Sequence, residues 1–142
     1  MKKLLYLALP VALGLGACNM AGDDDYENMA NDICDCMNKN TETVSDDMKK
    51  AIIDAVDSGK APDEAMQEIA MKDPAQAMKD GQAMMDAGPK VEKCVTDLEK
   101  KYENVYSNET EAEVEKRLLE TLKKNESCEW TYALYKLSKN MK

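Results

Sequence analysis

Ile33-Cys34-Asp35-Cys36-Met37 places two cysteines one residue apart inside an apolar repeat of helical period. Tyr26, Met29, Ala30, Ile33 and Met37 recur at 3.6-residue spacing and mark one buried face. On a helical wheel of about 100° per residue, Cys34 lies about 80° to one side of that face's centre and Cys36 about 80° to the other. The two sulfurs therefore diverge by about 160°. A disulfide needs its β-carbons about 3.8 Å apart and directed together, so the pair is badly placed to bond to itself and well placed to bond two different neighbours.

Two further cysteines, Cys94 and Cys128, lie on later helix-like segments. Four cysteines allow three pairings. The wheel disfavours Cys34–Cys36 with Cys94–Cys128 and leaves both crossed alternatives open; Cys34–Cys128 with Cys36–Cys94 is preferred. A thiol redox role for Cys34 and Cys36 would want an exposed, low-pKa thiol near a helix N-terminus. Here Asp32 and Asp35 flank them mid-helix. A thiolate metal site would want several ligands on one side, which this spacing denies.

Working outward, Ser45 is a suitable N-cap for a second helix that stops at Gly59. Pro62 suits the first turn of a third, carrying Met66, Ile69 and Ala70. Asp73-Pro74 restarts or kinks it, and Gly88-Pro89 is expected to end it. A fourth helix is expected over Lys90 to Tyr106. A capping box of Thr110 and Glu113 opens a fifth. A sixth, after Asn125, is apolar on two sides, with Cys128, Tyr132 and Tyr135 on one and Trp130, Leu134, Leu137 and Met141 on the other. Such a helix is either sandwiched in a core or offered to a partner. No strand-like alternation occurs. The expectation is an all-α fold: one small bundle of five to six helices over residues 26–142, cross-linked by disulfides.

The chain opens Met1-Lys2-Lys3 followed by an apolar run from Leu4 to Leu15, too short to span a bilayer, which needs about 20 residues. It reads as a cleaved targeting segment. Its end, Leu15-Gly16-Ala17-Cys18, resembles the lipobox of bacterial lipoproteins. The resemblance implies removal of residues 1–17 and acylation of Cys18, hence membrane attachment through lipid alone. Residues 18–25, with Asp23, Asp24 and Asp25, read as an acidic flexible tether. Those aspartates also resemble the acidic export signal of surface lipoproteins in the Bacteroidota, and Asn19 is not the aspartate that retains many proteobacterial lipoproteins in the inner membrane. Together with the two later cysteines, the layout resembles the small cysteine-containing helical lipoproteins of that phylum. The resemblance implies a lipid-anchored protein of the cell envelope, at the outer membrane, facing the periplasm or displayed on the surface. It brings no activity with it.

Removing Lys2 and Lys3 makes the chain two charges more negative than its formal −9. Such a surface repels nucleic acid. There is no histidine, which removes Ser-His and Cys-His catalysis and imidazole metal ligation. No catalytic or phosphate-binding signature occurs, no metal site and no cofactor is expected, and the chain reads as a non-enzymatic interaction domain whose partner is another envelope protein. Trp130, Tyr132, Tyr135, Met78, Met84 and Met85 form the candidate partner surface. The alternative is a copper or small-ligand carrier using the methionines of residues 62–88, since thioether sulfur binds Cu(I).

Overall fold

The computed structural model describes residues 21–140, so the lipobox, Cys18 and Met141 lie outside the described residues. Seven helices follow in order: α1 Asp23–Asn40, α2 Asp46–Ser58, α3 Pro62–Lys72, α4 Pro74–Lys101, α5 Glu103–Asn108, α6 Glu111–Lys124 and, after a single 3₁₀ turn Glu126–Cys128, α7 Glu129–Asn140. The described chain is an all-α bundle.

Local chemistry accounts for most of the boundaries. The Ser45 hydroxyl accepts from the Met48 amide at the start of α2, and Gly59 closes that helix at φ 68°, a left-handed conformation that only glycine takes without penalty. Thr110 and Glu113 cap α6 reciprocally. Asp46, Asp47, Asp63 and Glu64 sit in first helical turns, where they oppose the positive end of the macrodipole.

Two expectations need correction. The helix expected to stop at Gly88-Pro89 runs through it, and the break falls instead at Asp73-Pro74; a second break at Tyr102, inside the helix expected over Lys90 to Tyr106, raises the helix count among the described residues to seven. Asp73 leaves the helical region at φ −143°, ψ 86°, and its carboxylate caps the Gln76 amide while Pro74 takes the first turn, where no amide is needed. Gly88 offers no capping side chain. Lacking a β-carbon, it also relieves the clash that a proline ring normally imposes on the residue before it. Secondly, the acidic segment is not a tether. Ala21 is buried, Gly22 caps α1, and Asp23, Asp24 and Asp25 form its first turn, with Asp25 accepting from the Gly22 amide at 3.0 Å.

The core has two parts. Tyr26, Met29, Ala30 and Cys34 of α1 pack with Val105, Val114, Leu118, Leu122 and Cys128. Val44, Met48 and Ile52 pack with Trp130 and Ala133, flanked by Ile69, Met84, Leu134 and Leu137. Each fully buried large side chain contributes about 1.5–3 kcal/mol. Helix α7 contacts α1, α2 and α6, so its two apolar sides are both used.

α1 and α4 run antiparallel: Asp32 pairs with Lys101 and Tyr102, while four residues further along α1 Cys36 bonds Cys94, nearer the start of α4. The N-terminal half of α4 thus projects past the end of α1 toward α2 and α3. There it meets an interaction that sequence reading missed. Asp80 is fully buried and accepts from the Ser45 backbone amide at 2.8 Å, the Ser45 hydroxyl at 2.6 Å and the Gln76 side-chain Nε2 at 3.2 Å. It ties α4 to the positive end of α2. Its signal was a lone charge at the centre of the stripe Ala83, Met84 and Ala87.

Burial alone would raise the Asp80 carboxyl, but the Ser45 and Gln76 donors outweigh it and hold the group below its ordinary value. A carboxyl depressed in the fold stabilises it above the unfolded pKa of about 3.9 and loses that contribution as pH falls through the lower, folded value. Asp80→Asn is expected to cost about 2 kcal/mol at pH 7, the scale of hydrogen bonds to a charged group. The cost should begin to shrink below about pH 4, where the unfolded carboxyl takes up its proton first, and be lost only once pH falls below the lower, folded value. Urea midpoints of both proteins across that range test this; a cost that stays constant down to the lowest pH would refute the charged role.

Candidate functional site

Three features of the fold are candidates. The first is the cysteine frame. Cys34 pairs with Cys128 at a Cα separation of 5.3 Å, and Cys36 with Cys94 at 6.3 Å. The two shoulders of α1 are thus fastened to opposite sides, one to the turn before α7 and the other to α4. Cys34 and Cys128 lie inside the core at 2% and 0% exposure, whereas Cys94 is half-buried at the surface. No thiol of these four remains free to act as a nucleophile.

The second is a clamp at the point where the chain enters the fold. Arg117 of α6 stacks over the Tyr26 ring at 4.1 Å and donates to Glu109 at 2.7 Å, to Asp23 at 2.9 Å and to the Ala21 carbonyl at 3.3 Å. The Tyr26 hydroxyl donates to the other oxygen of Glu109 at 2.9 Å. Burial, and then the hydrogen bond to Glu109, push Tyr26 up to about 12, so it stays a neutral donor at physiological pH. An open cleft of about 570 Å3 beside the clamp is lined by Asp23, Tyr26, Glu27, Asn31, Arg117 and Glu120 among others. Its one guanidinium is already committed to Asp23 and Glu109. A second open groove of about 590 Å3 runs along the Cys36–Cys94 bond, between the acidic side of α1 and the lysines of α4. Neither has the enclosed apolar wall of a small-molecule site.

The third is the candidate partner surface, which the fold divides. Trp130 is not on it. The indole is 5% exposed and donates to the Thr41 hydroxyl at 2.9 Å, a buried hydrogen bond that spans the two ends of the sequence. The physical reason is that α7 is sandwiched, so its second apolar side faces α2 rather than solvent. Tyr132 and Tyr135 are half-buried, with burial, then Glu115, pushing Tyr135 up to about 12. Met84 packs on the second core cluster. Only Met78 and Met85 stand open, at 79% and 74% exposure, joined by Met71 at 76% on α3. Met78 and Met85 are two helical turns apart, about 10 Å, which separates thioethers that would have to converge on one copper ion.

Among the described residues no group of three or more His, Cys, Asp or Glu side chains could hold a metal ion, and no helix is long and apolar enough to cross a membrane. Compared with family models, curated proteins and solved structures, the chain matches none.

Proposed function

We propose that this chain is a lipid-anchored protein of the bacterial envelope, attached at the outer membrane through Cys18, which acts by binding another protein rather than by catalysis. The observation that carries the reading is the meeting of two features: the lipobox Leu15-Gly16-Ala17-Cys18 and, three residues further on, Ala21, which is buried in the bundle and held by Arg117. Only Asn19 and Met20 intervene. At 3.3–3.6 Å per residue the lipidated cysteine would stand within about 11 Å of the buried alanine. Such a domain is held against the membrane by the N-terminal end of α1. The methionine-bearing part of α4 then points away, on the order of 40 Å from Ala21 at 1.5 Å per helical residue.

The test is expression of the full chain in a bacterium with a labelled fatty acid, followed by mass measurement of the N-terminal peptide. The expected product begins at Cys18 and carries a diacylglyceryl group on its sulfur. Cys18→Ser should lose both label and envelope fractionation. A wild-type chain cleaved elsewhere, or recovered unlabelled in the soluble fraction, would refute the reading.

A further inference from the structure

The two disulfides differ in what can reach them. Cys34 and Cys128 are 2% and 0% exposed and lie within the first core cluster. Cys94 is half-buried, and both Cys36 and Cys94 line the open groove of about 590 Å3 between α1 and α4. Thiol–disulfide exchange requires access to one of the two sulfurs, so this bond is open to attack and the other is closed. The groove also suits the attacking species. With Lys101 paired to Asp32, its remaining charges are Lys39, Lys90 and Lys93 against Asp35 and Asp97, a positive surplus in a chain of net charge −9. A thiolate approaches such a spot more readily than the rest of an acidic surface. Across the bond, Asn40 Nδ2 donates to the Cys36 sulfur at 3.8 Å and is held in place by the Cys36 carbonyl at 2.8 Å. Cys94 is thus the sulfur that can be reached, and Cys36 the one supplied with a donor for arriving negative charge.

The stretch of α4 that this bond fastens has few other ties. From Gly88 to Lys101 no residue is buried; Val91, Val95 and Leu98 are half-buried beside Cys94. Near its start Pro89 has no amide to give the Met85 carbonyl, and at its end the helix breaks at Tyr102. Lys101 and Asp32 pair at the surface, 59% and 32% exposed, where an ion pair adds little. Both flanks are fixed. Ahead of Pro89, Asp80 and Ala87 are buried and Asp80 is bonded to Ser45; beyond Lys101, Tyr102 is buried and bonded to Asp32. A segment with so little buried apolar area opens at a lower free energy than the core, and here its neighbours stay anchored when it does.

We propose that Cys36–Cys94 is a redox latch, opened by exchange with an external dithiol at Cys94, which frees the Gly88–Lys101 segment from α1 while the rest of the bundle stays folded. One thiol of the dithiol gives up its proton and its sulfur bonds the Cys94 sulfur. The Cys36–Cys94 bond breaks, its electron pair leaves on Cys36, and Cys36 takes up a proton. The second thiol then bonds the first sulfur and releases Cys94, which is protonated in turn. The protein gains two electrons and two protons, and the dithiol ends as a disulfide. Exchange with a disulfide runs the same steps backwards and closes the latch. Cys34–Cys128 holds α1 to the turn before α7 throughout.

The test treats the oxidised full chain with dithiothreitol, quenches by alkylation at intervals and maps the peptides by mass. Cys36 and Cys94 are expected to become alkylated on the order of tenfold faster than Cys34 and Cys128. At that stage hydrogen exchange should rise in the amides of Gly88–Lys101 and hold in those of Met29 to Cys34 and Val114 to Leu122. Oxidised glutathione should restore the first pattern. Cys36→Ser with Cys94→Ser should show the opened pattern without any reductant. Reduced glutathione in place of the dithiol should leave its adduct on the Cys94 peptide. Both bonds opening together, exchange rising across the whole bundle or nowhere, helical circular dichroism lost in the double serine variant, or the adduct on Cys36 would each overturn the proposal. Cys18 is read on its own peptide, so the outcome stands whether or not it is lipidated.

Discussion

Replacing Cys34, Cys36, Cys94 and Cys128 together with alanine is expected to leave a chain that is largely unfolded at about 37 °C, as loss of native disulfides commonly does in small secreted domains. The bonds close loops with sequence separations of 94 and 58 residues, and loop entropy alone assigns about 4 kcal/mol to each taken singly. The shorter loop lies inside the longer one, so the second bond adds less than the first. A domain of this size has only about 5–15 kcal/mol in total. Cys34→Ala with Cys128→Ala should be the more damaging pair, because it also empties volume from the core around Met29 and Leu122. Cys36→Ala with Cys94→Ala removes a link whose outer end is half-buried, and mild reductant should expose Cys94 to alkylation before Cys128. Helical circular dichroism against temperature for the four proteins makes the comparison. A quadruple variant that melts with the wild type would show that the cysteines are not architecture and reopen the redox reading.

Trp130→Ala is expected to cost about 3–5 kcal/mol, the range for truncating a buried aromatic side chain. The indole fills the second core cluster between α2 and α7, and its N–H is paired with a Thr41 hydroxyl that itself donates to the Met37 carbonyl at 2.7 Å. Trp130→Phe keeps most of the volume and should cost about 1 kcal/mol more than the lost area alone, for the unmade hydrogen bond. The chain has a single tryptophan, so its fluorescence reports the same site that is mutated, and urea midpoints for the alanine variant are best followed by circular dichroism. A surface residue that contacts only a partner would change stability by no more than about 0.5 kcal/mol. That outcome would return Trp130 to the partner surface and refute its place in the core.

Position by position, the sequence was informative wherever the deciding partner lay within one turn. Ser45, Gly59, Pro62 and the Thr110–Glu113 box mark the helix ends they were expected to mark, because capping is a matter between a side chain and amides two or three residues away. The divergence of Cys34 and Cys36 followed likewise from helix geometry alone. Gly88-Pro89 misled because a proline's cost of about 3 kcal/mol is only one term. Packing along a 28-residue helix outweighed it, and no local signal carries that packing.

By itself, then, the sequence determined the all-α class, most of the helix caps, the acidic composition and the direction in which each cysteine of α1 points, since all of these are set by local chemistry and period. Tertiary structure alone decided that Cys34 meets Cys128 and Cys36 meets Cys94, that Asp80 is buried beneath Ser45, that Trp130 is core, and that Asp23 to Asp25 belong to a helix clamped by Arg117. Each of these joins residues from 35 to 94 positions apart. Their energy is gained only when distant helices pack, so no stretch of the chain could announce them.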